Sequence, residues 1–183
     1  MKHVLVITGA AGPGKTTVSN YLSEHFQIPR VVTHTTRRPR RGEVDGRDYY
    51  FESRQSMGQL HLLERVEYDH HLYGSSYEGL QKAWQDHDMA TIVLDTKGAQ
   101  TYHERLGEQA VVIFLTVTKQ HALVKRLAKR GDLKTAVKQR IASAEYHRDL
   151  TLPDELTATA QVITNDEWEH TQQQLDELVQ TLQ

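Results

Sequence analysis

Four short runs of consecutive apolar residues divide an otherwise polar chain, at 3–8, 90–95, 111–117 and 161–164. The runs are rich in Val and Ile and are continuous rather than alternating, which is typical of strands covered on both faces of a parallel sheet. Between the runs, apolar residues recur at helical spacing. The pattern predicts helices at about 15–25, 76–87, 119–130, 136–147 and 167–182.

The last of these helices shows the helical pattern clearly. Its apolar residues form one inward face, and Asn165 or Asp166 would be its N-cap. The members of that face are Trp168, Leu175, Leu178, Val179 and Leu182. Strand and helix patterns that alternate in this way predict a three-layer α/β fold with a central parallel sheet.

Residues 34–75 interrupt the alternation, because they are polar and rich in loop-forming residues. Only two short pieces there, at 48–51 and 62–68, look like strands. We interpret this stretch as a lobe inserted into a single domain. Residues 131–135, with the sequence GDLKT, are typical of a short mobile connection between two helices.

Charge and composition narrow the class of protein. The 183 residues include 22 Lys and Arg against 24 Asp and Glu, so the chain lacks the basic excess of a non-specific nucleic-acid binder. The sequence has no cysteine, which suits a reducing cytoplasm. Its longest apolar run, at 110–117, is far shorter than the roughly 20 residues that span a bilayer. We therefore expect a cytoplasmic protein without a membrane segment.

A phosphate-binding loop follows the first predicted strand. Gly9, Gly14, Lys15 and Thr16 fit the pattern G-x-x-x-x-G-K-S/T, with a strand before it and a helix after it. The glycines let backbone N–H groups surround phosphate oxygens, the lysine reaches the β- and γ-phosphates, and the threonine hydroxyl can bind Mg²⁺. The loop indicates ATP or a similar triphosphate with Mg²⁺, but it does not identify the molecule that receives the phosphoryl group.

Two other features concern that acceptor. Asp95 is the last residue of the second apolar run, and open α/β sheets place site residues at such strand ends. The residue could therefore act near Mg²⁺, or it could simply cap the helix that follows. Residues 33–51 read THTTRRPRRGEVDGRDYYF, with five arginines between 37 and 47. Arginine binds phosphate through two parallel hydrogen bonds and tyrosine adds a neutral donor, so this loop fits the anionic end of a second substrate.

Together these segments resemble the guanylate kinase family, over roughly 3–168. Besides the phosphate loop, the resemblance rests on 35–51, on LLERVEYDHHLYGSS at 62–76, on VLD at 93–95, on RLAKRG at 126–131 with Arg140, and on VITND at 162–166. It implies transfer of the γ-phosphoryl group of ATP to GMP, with Mg²⁺, by a single P-loop kinase domain that is a monomer or a homodimer. The implied division is a core of 1–32, 76–130 and 141–183, a GMP-binding lobe at 33–75 and a lid at about 131–140.

The resemblance also implies roles for individual residues. ATP would be bound by Gly9, Gly12, Gly14, Lys15, Thr16, Thr17 and Asn165. Among these, Thr16 would bind the metal ion and Asn165 would contact adenine. The GMP phosphate would be held by Arg37, Arg40, Tyr49 and Tyr73. Thr33, Glu64 and Ser75 would contact the guanine base of GMP. Asp95 is also assigned to the substrate-binding residues. The catalytic cations would be Lys15, Arg126, Arg130 and Arg140.

Three positions depart from the family pattern. The family usually continues the strand-ending aspartate with a second acid that helps to read guanine, whereas this chain reads Asp95-Thr96-Lys97-Gly98. A lysine only donates and cannot accept from guanine N1–H or N2–H, so we expect Glu64 to keep base selection and Lys97 to change its strength. His34 stands where the family often has serine, and Pro13 removes one N–H from the phosphate loop.

Two alternatives remain open. A guanylate-kinase-like binding module without turnover has the same fold, although such modules typically lose the phosphate loop that this chain keeps. A related kinase for another phosphorylated small molecule, such as a sugar phosphate, fits the change at Lys97 but not the retention of Glu64. A nucleic-acid binder is disfavoured, because the basic segments lack aromatic residues spaced for base stacking.

Overall fold

The computed structural model describes residues 1–68, 70–119, 122, 123, 126, 127 and 134–183, with only the backbone of Tyr68 and Lys134. Its strands are β1 His3–Thr8, β2 His34–Thr35, β3 Tyr50–Phe51, β4 Leu62–Tyr68, β5 His71–Ser76, β6 Met89–Val93, β7 Ala110–Thr116 and β8 Gln161–Thr164. The helices in the described residues are α1 Lys15–Phe26, α2 Arg54–Met57, α3 Tyr77–Ala83, α4 Thr96–Leu106, α5 Lys134–Ile141, α6 Ala144–Arg148 and α7 Trp168–Leu182. The predicted helix 119–130 and the connection 131–135 lie largely outside these residues.

A parallel sheet in the order β6-β1-β7-β8 forms the centre of the described structure. Alternate residues of β1 point to opposite faces, and both faces are buried. Val4 and Val6 pack in one cluster with Tyr102 of α4, whereas Leu5 and Ile7 pack in another with residues of α1 and α7. The prediction of an α/β fold with a central parallel sheet is confirmed, and the four apolar runs match β1, β6, β7 and β8 to within two residues.

Helix α4 was not predicted. Its buried residues are Thr96, Gly98, Ala99 and Tyr102, so most of its inward face is small or polar and gives no apolar stripe in the sequence. The side chain of Asp95 accepts the Gly98 N–H and starts the helix.

The other helix predictions need three corrections. The predicted helix 136–147 is two helices, because the Ser143 hydroxyl accepts the Tyr146 N–H and caps a new one, α6. Helix α3 ends at Ala83, and the next residue, Trp84, is buried with its indole N–H donating to the carbonyl of His3. The N-cap of α7 is Glu167, because Asn165 and Asp166 use their side chains to bind other segments. Among the described helices, none is long and apolar enough to cross a bilayer.

A second sheet lies within 34–76, in the order β3-β2-β5-β4. Strands β4 and β5 pair antiparallel, with an irregularity between Leu62 and Glu64 that shifts the register. A Cβ on Gly74 of β5 would lie 2.6 Å from the carbonyl oxygen of Glu64, so glycine permits the close approach of the two strands.

His34 joins this second sheet to α3. Its ring is 4% exposed, with Nδ1 2.9 Å from Glu52 Oε1 and Nε2 2.7 Å from the hydroxyl of Ser76. Ser76 in turn accepts the N–H of Gly79 and caps α3. The histidine therefore connects β2, the segment after β3 and the start of α3 through one part-buried and one buried hydrogen bond.

Candidate active site

A glycine-rich loop connects β1 to α1. Gly9, Gly12 and Gly14 have φ angles of 122°, 103° and 101°, in a region that residues with a Cβ rarely adopt. A Cβ on Gly9 would lie 2.3 Å from the carbonyl oxygen of Leu115 on β7. Glycine is thus required both for the backbone angle and for the contact between loop and sheet, which lets backbone N–H groups surround a bound phosphate.

The substitution Gly9→Ala is expected to lower the free energy of unfolding by about 2 kcal/mol or more, since it adds a backbone clash to an unfavourable φ. Urea denaturation monitored by circular dichroism measures this loss. Gly42→Ala is the matched control, because Gly42 has a φ of 91° but a Cβ there would have no atom within 4 Å. Equal losses in the two variants would show that the contact with Leu115 contributes nothing.

Lys15, the first residue of α1, turns its ammonium group back over the loop. Its Nζ donates to the carbonyl oxygens of Gly9 and Ala10, each at 2.5 Å. Lys15 also lines a cavity of about 460 Å³ beside the loop. The sequence prediction placed a cation here for the β- and γ-phosphates, and the side chain lies where such a cation can act.

A cavity of about 460 Å³ opens beside the carboxyl ends of β1 and β6. Its size is typical of sites for small molecules, which span roughly 300–1,000 Å³. It brings together residues that are far apart in the sequence and were predicted to act on different parts of two nucleotides. These are Gly9, Lys15, Thr33, Tyr49, Glu64, Tyr73, Asp95 and Arg140.

Glu64 lines this cavity from β4. Ser75, which is fully buried, donates from its hydroxyl to Glu64 Oε1 at 3.1 Å, and Tyr102 donates to the Ser75 hydroxyl at 2.8 Å. Burial raises the pKa of Glu64; the Ser75 hydrogen bond opposes the rise and the negative charge of Asp95 adds to it. In the structure Ser75 lies behind Glu64 and donates to its carboxylate, and its predicted position facing the base stays a prediction.

Asp95 caps α4 and lines the same cavity. Its Oδ1 accepts the Gly98 N–H at 2.7 Å, and its Oδ2 accepts from Arg148 Nη2 at 2.8 Å. Arg148 also donates from Nε to Asp149 at 2.9 Å, and Asp149 accepts from the hydroxyl of Thr96 at 2.6 Å. Asp95 therefore caps a helix and also lines the cavity, so its predicted role at the substrate or near Mg²⁺ stays a prediction. The sequence contained no sign of its ion pair with Arg148.

The arginine-rich loop is organised around Glu43. Arg37 donates from Nη1 and Nη2 to the two oxygens of Glu43, at 3.0 and 2.9 Å, and the backbone N–H of Arg40 donates to Oε2 at 2.7 Å. The Arg37 guanidinium carbon lies 5.5 Å from the centre of the Tyr49 ring, which is 6.2 Å from that of Tyr73. The structure brings Arg37, Tyr49 and Tyr73 together, whereas the side chain of Arg40 is exposed and does not line the cavity.

A second cavity, of about 330 Å³, borders the phosphate loop and is lined by Gly12, Gly14, Thr17, Arg126, Asn165, Asp166 and Trp168. Asn165 uses both ends of its amide here: Nδ2 donates to the carbonyl of Pro13 at 2.7 Å, and Oδ1 accepts from Thr171 at 2.8 Å. Arg126 donates to the carbonyl of Asn165 at 2.9 Å. Asn165 therefore braces the loop in this structure, and its predicted contact with adenine stays a prediction.

The remaining predicted residues are dispersed. Thr16 is exposed in the first turn of α1, Arg126 and Arg140 line different cavities, and Arg130 lies outside the described residues. Lys97 is exposed in the first turn of α4 and is not among the residues that line the large cavity.

Sequence reasoning missed several residues of the large cavity, and four of them lie in α6 or at its two caps. They are Ser143, Glu145, Tyr146 and Asp149. The capping preference of serine at position 143 is the one local signal for the break that turns these residues toward the cavity.

The loop suits a magnesium ion that arrives with a nucleotide. Mg²⁺ usually keeps several waters and takes one or two protein ligands besides substrate phosphates, and the exposed hydroxyl of Thr16 can be one of them.

The fold and the site define the class of protein. A parallel sheet, a glycine-rich loop leading into a helix, and a lysine over that loop are the features of P-loop nucleotide-binding proteins. The guanylate kinase family model matches residues 1–182, and the chain therefore belongs to the guanylate kinase family, a family of phosphotransferases.

Individual relatives agree with this assignment. The chain is 37% identical over 148 residues to the guanylate kinase of Lactobacillus delbrueckii subsp. bulgaricus, covering 77% of this chain and 72% of that protein. It is 33% identical over 177 residues to the guanylate kinase of Chlamydia muridarum, covering 89% and 85%. The crystal structure of guanylate kinase from Anaplasma phagocytophilum superposes with a TM-score of 0.64 over 98% of this chain and 85% of that one; at 23% identity this supports the fold alone.

Proposed function

We propose that this chain transfers the γ-phosphoryl group of ATP to GMP, with ADP and GDP as products. The observation that carries the proposal is a single cavity lined by Lys15 of the phosphate loop and by Glu64 of the second sheet. A triphosphate on the loop and a nucleotide whose base lies at the carboxylate would have their reacting groups in one cavity. Guanine suits Glu64, because one carboxylate accepts its adjacent N1–H and N2–H donors, a pair that adenine lacks.

Phosphoryl transfer depends mainly on positioning and on neutralising the charge of the migrating group. Lys15 would do so from the loop, and Arg140 from the α5 wall of the same cavity. Arg126, which lines the second cavity, would contact ATP. Arg130 is assigned to the catalytic cations by the family resemblance. Mg²⁺ would add further neutralisation when bound, with Thr16 as its protein ligand.

The phosphate of GMP, which accepts the migrating group, would be held in the same cavity. Tyr49 and Tyr73 line it, and Arg37 lies beside both rings with its guanidinium oriented by Glu43. Arg40 would complete this set by turning its exposed side chain inward, while its backbone N–H stays bound to Glu43. Within this proposal the second sheet belongs to the GMP-binding lobe at 33–75, and the lid comprises about 131–140.

Arg40→Ala is expected to raise the KM for GMP by tens of fold, since a charged hydrogen bond contributes roughly 1.5–3 kcal/mol. The loop should keep its shape, because the contact of residue 40 with Glu43 is made by the backbone. Arg38→Ala is the matched control: it removes an exposed arginine two positions away and should leave the KM unchanged. An unchanged KM in the Arg40 variant would mean that the phosphate binds elsewhere.

The proposal is tested by ADP production from ATP and Mg²⁺ with GMP, dGMP, AMP, CMP and UMP as acceptors. We expect turnover with GMP well above that with the adenine and pyrimidine nucleotides. AMP accepted as well as GMP would contradict the role of Glu64. No ATP binding in calorimetry would favour a binding module. ATP binding without ADP production from any of these acceptors would contradict GMP as the acceptor and favour a kinase for another phosphorylated small molecule. A cytoplasmic location, a monomeric or homodimeric state and the lack of nucleic-acid partners stay predictions.

A further inference from the structure

The large cavity is lined by four carboxylates, of which Glu64 and Asp95 come from two different elements and the others are Glu145 and Asp149. Glu64 belongs to β4 of the second sheet, and Asp95 follows β6 of the central sheet. The negative charge of Asp95 contributes to the raised pKa of Glu64, so the two groups are electrostatically coupled across the cavity. A ligand that offers a hydrogen-bond donor to each would reduce the repulsion between the two negative charges.

Guanine has one more donor in this region than Glu64 can accept. The N1–H and one N2–H can bind the two oxygens of a single carboxylate, and the second N2–H then points away from it. If that hydrogen lost its water without gaining an acceptor, binding would weaken. An acceptor on the other wall of the cavity would satisfy it.

Asp95 is an acceptor whose direction is set by its neighbours. The Gly98 N–H and the Arg148 guanidinium bind one oxygen each, and each carboxylate oxygen retains a second lone pair. Arg148 is itself fixed by Asp149, which is 8% exposed and held by Thr96. The guanidinium also supplies a positive charge that offsets the repulsion between Asp95 and a second carboxylate.

We propose that Asp95, held in place by Arg148, accepts the second N2–H of guanine and so discriminates GMP from nucleotides that lack the 2-amino group. Asp95 would be a contact residue and Arg148 a positioning residue. The assignment rests on the proposed function, because it specifies how the acceptor of that reaction is read. Lys97, which is exposed and does not line the cavity, takes no part in it.

The test compares GMP with IMP, which has the same N1–H, ribose and phosphate but no 2-amino group. Asp95→Asn keeps an oxygen for the Gly98 N–H and exchanges the acceptor for an amide; it should raise the KM for GMP about tenfold. The KM for IMP should stay within about twofold, because IMP makes no contact with this acceptor. Turnover of the wild-type protein with GMP, measured first, tests the proposed function separately.

Arg148 is tested by Arg148→Met, which should raise the KM for GMP about fivefold and leave that for IMP nearly unchanged. Arg148→Lys keeps a charge near Asp95 and should restore part of the loss. In the double variant Asp95→Asn/Arg148→Met, the GMP loss should not exceed that of Asp95→Asn alone, because the arginine acts through the aspartate. Arg30→Met, which removes an exposed arginine that bonds Asn20 outside both cavities, is the matched control and should change neither KM.

Equal losses with GMP and IMP would overturn the assignment, since they would indicate a role in phosphoryl transfer or in folding. A GMP to IMP ratio that is unchanged in both Asp95→Asn and Arg148→Met would also overturn it. Melting temperatures identify any variant that does not fold, and the other single variant then decides the outcome.

Discussion

Lys15→Ala is expected to lower kcat by at least about 10³-fold, the largest effect of any single substitution considered for this chain. The ammonium group lies over the loop that would hold the triphosphate, 2.5 Å from two of its carbonyl oxygens. Its removal takes away the fixed positive charge nearest to the β- and γ-phosphates, and an alanine offers no replacement. ADP formation at saturating ATP and GMP measures the loss.

Loss of activity through loop collapse must be separated from loss of the charge. Lys82→Ala is the control for removal of a lysine, because Lys82 is exposed on α3 and its ammonium group lies 4.3 Å from the Tyr50 ring. It should retain full turnover. Thermal unfolding of the Lys15 variant should show a stability close to that of the wild type. Substantial turnover in Lys15→Ala would refute the assignment of residues 9–16 as the catalytic phosphate loop.

Glu64→Gln is expected to reduce the preference for GMP over AMP by about 100-fold. A carboxylate accepts two hydrogen bonds side by side, whereas an amide accepts one and donates one. The amide therefore repels one of the two guanine donors and matches the donor and acceptor of adenine. The buried hydroxyl of Ser75 can still bind the amide oxygen, so the orientation of the side chain should survive. The ratio of kcat/KM for the two nucleotides measures the change, and an unaltered ratio would exclude Glu64 as the residue that reads the base.

Glu64 also predicts how the KM for GMP depends on pH. Burial, together with the charge of Asp95, raises its pKa above the ordinary value of 4.5, although the Ser75 hydrogen bond opposes this. Only the ionised form accepts both guanine donors. As the pH falls toward this raised pKa, the carboxyl group takes up a proton and the KM for GMP should rise. The phosphate of GMP also takes up a proton as the pH falls, at about pH 6. Glu64→Gln, which keeps only the phosphate titration, is therefore the control. Identical profiles for the two proteins would contradict the prediction.

The parts of the fold that could be predicted are those in which burial leaves a continuous trace in the sequence. Strands covered on both faces, such as β1, require unbroken apolar runs, so the strands of the central sheet could be predicted from the sequence. Strands β2 and β3 have two residues each and depend on tertiary pairing, and the inward face of α4 is mostly small or polar. Neither leaves a periodic pattern.

The same distinction applies to the site. The phosphate loop is a local motif, so its residues could be recognised from spacing alone. The position of Ser75 behind Glu64 depends on a register shift in the β4–β5 pair, which cannot be counted from the sequence. The ion pair of Asp95 with Arg148 joins positions 53 residues apart, and its arginine lies at the end of α6, the short helix that Ser143 caps.

The amide of Asn165 connects the beginning of the chain with its end. Pro13 and Asn165 are 152 positions apart, and the same side chain holds Thr171 in the first turn of α7. During synthesis on the ribosome, the phosphate loop therefore emerges long before the residues that brace it. The chain should acquire full affinity for ATP only after its last strand and helix have folded, so nucleotide binding would report completion of the domain rather than formation of its first strand and loop.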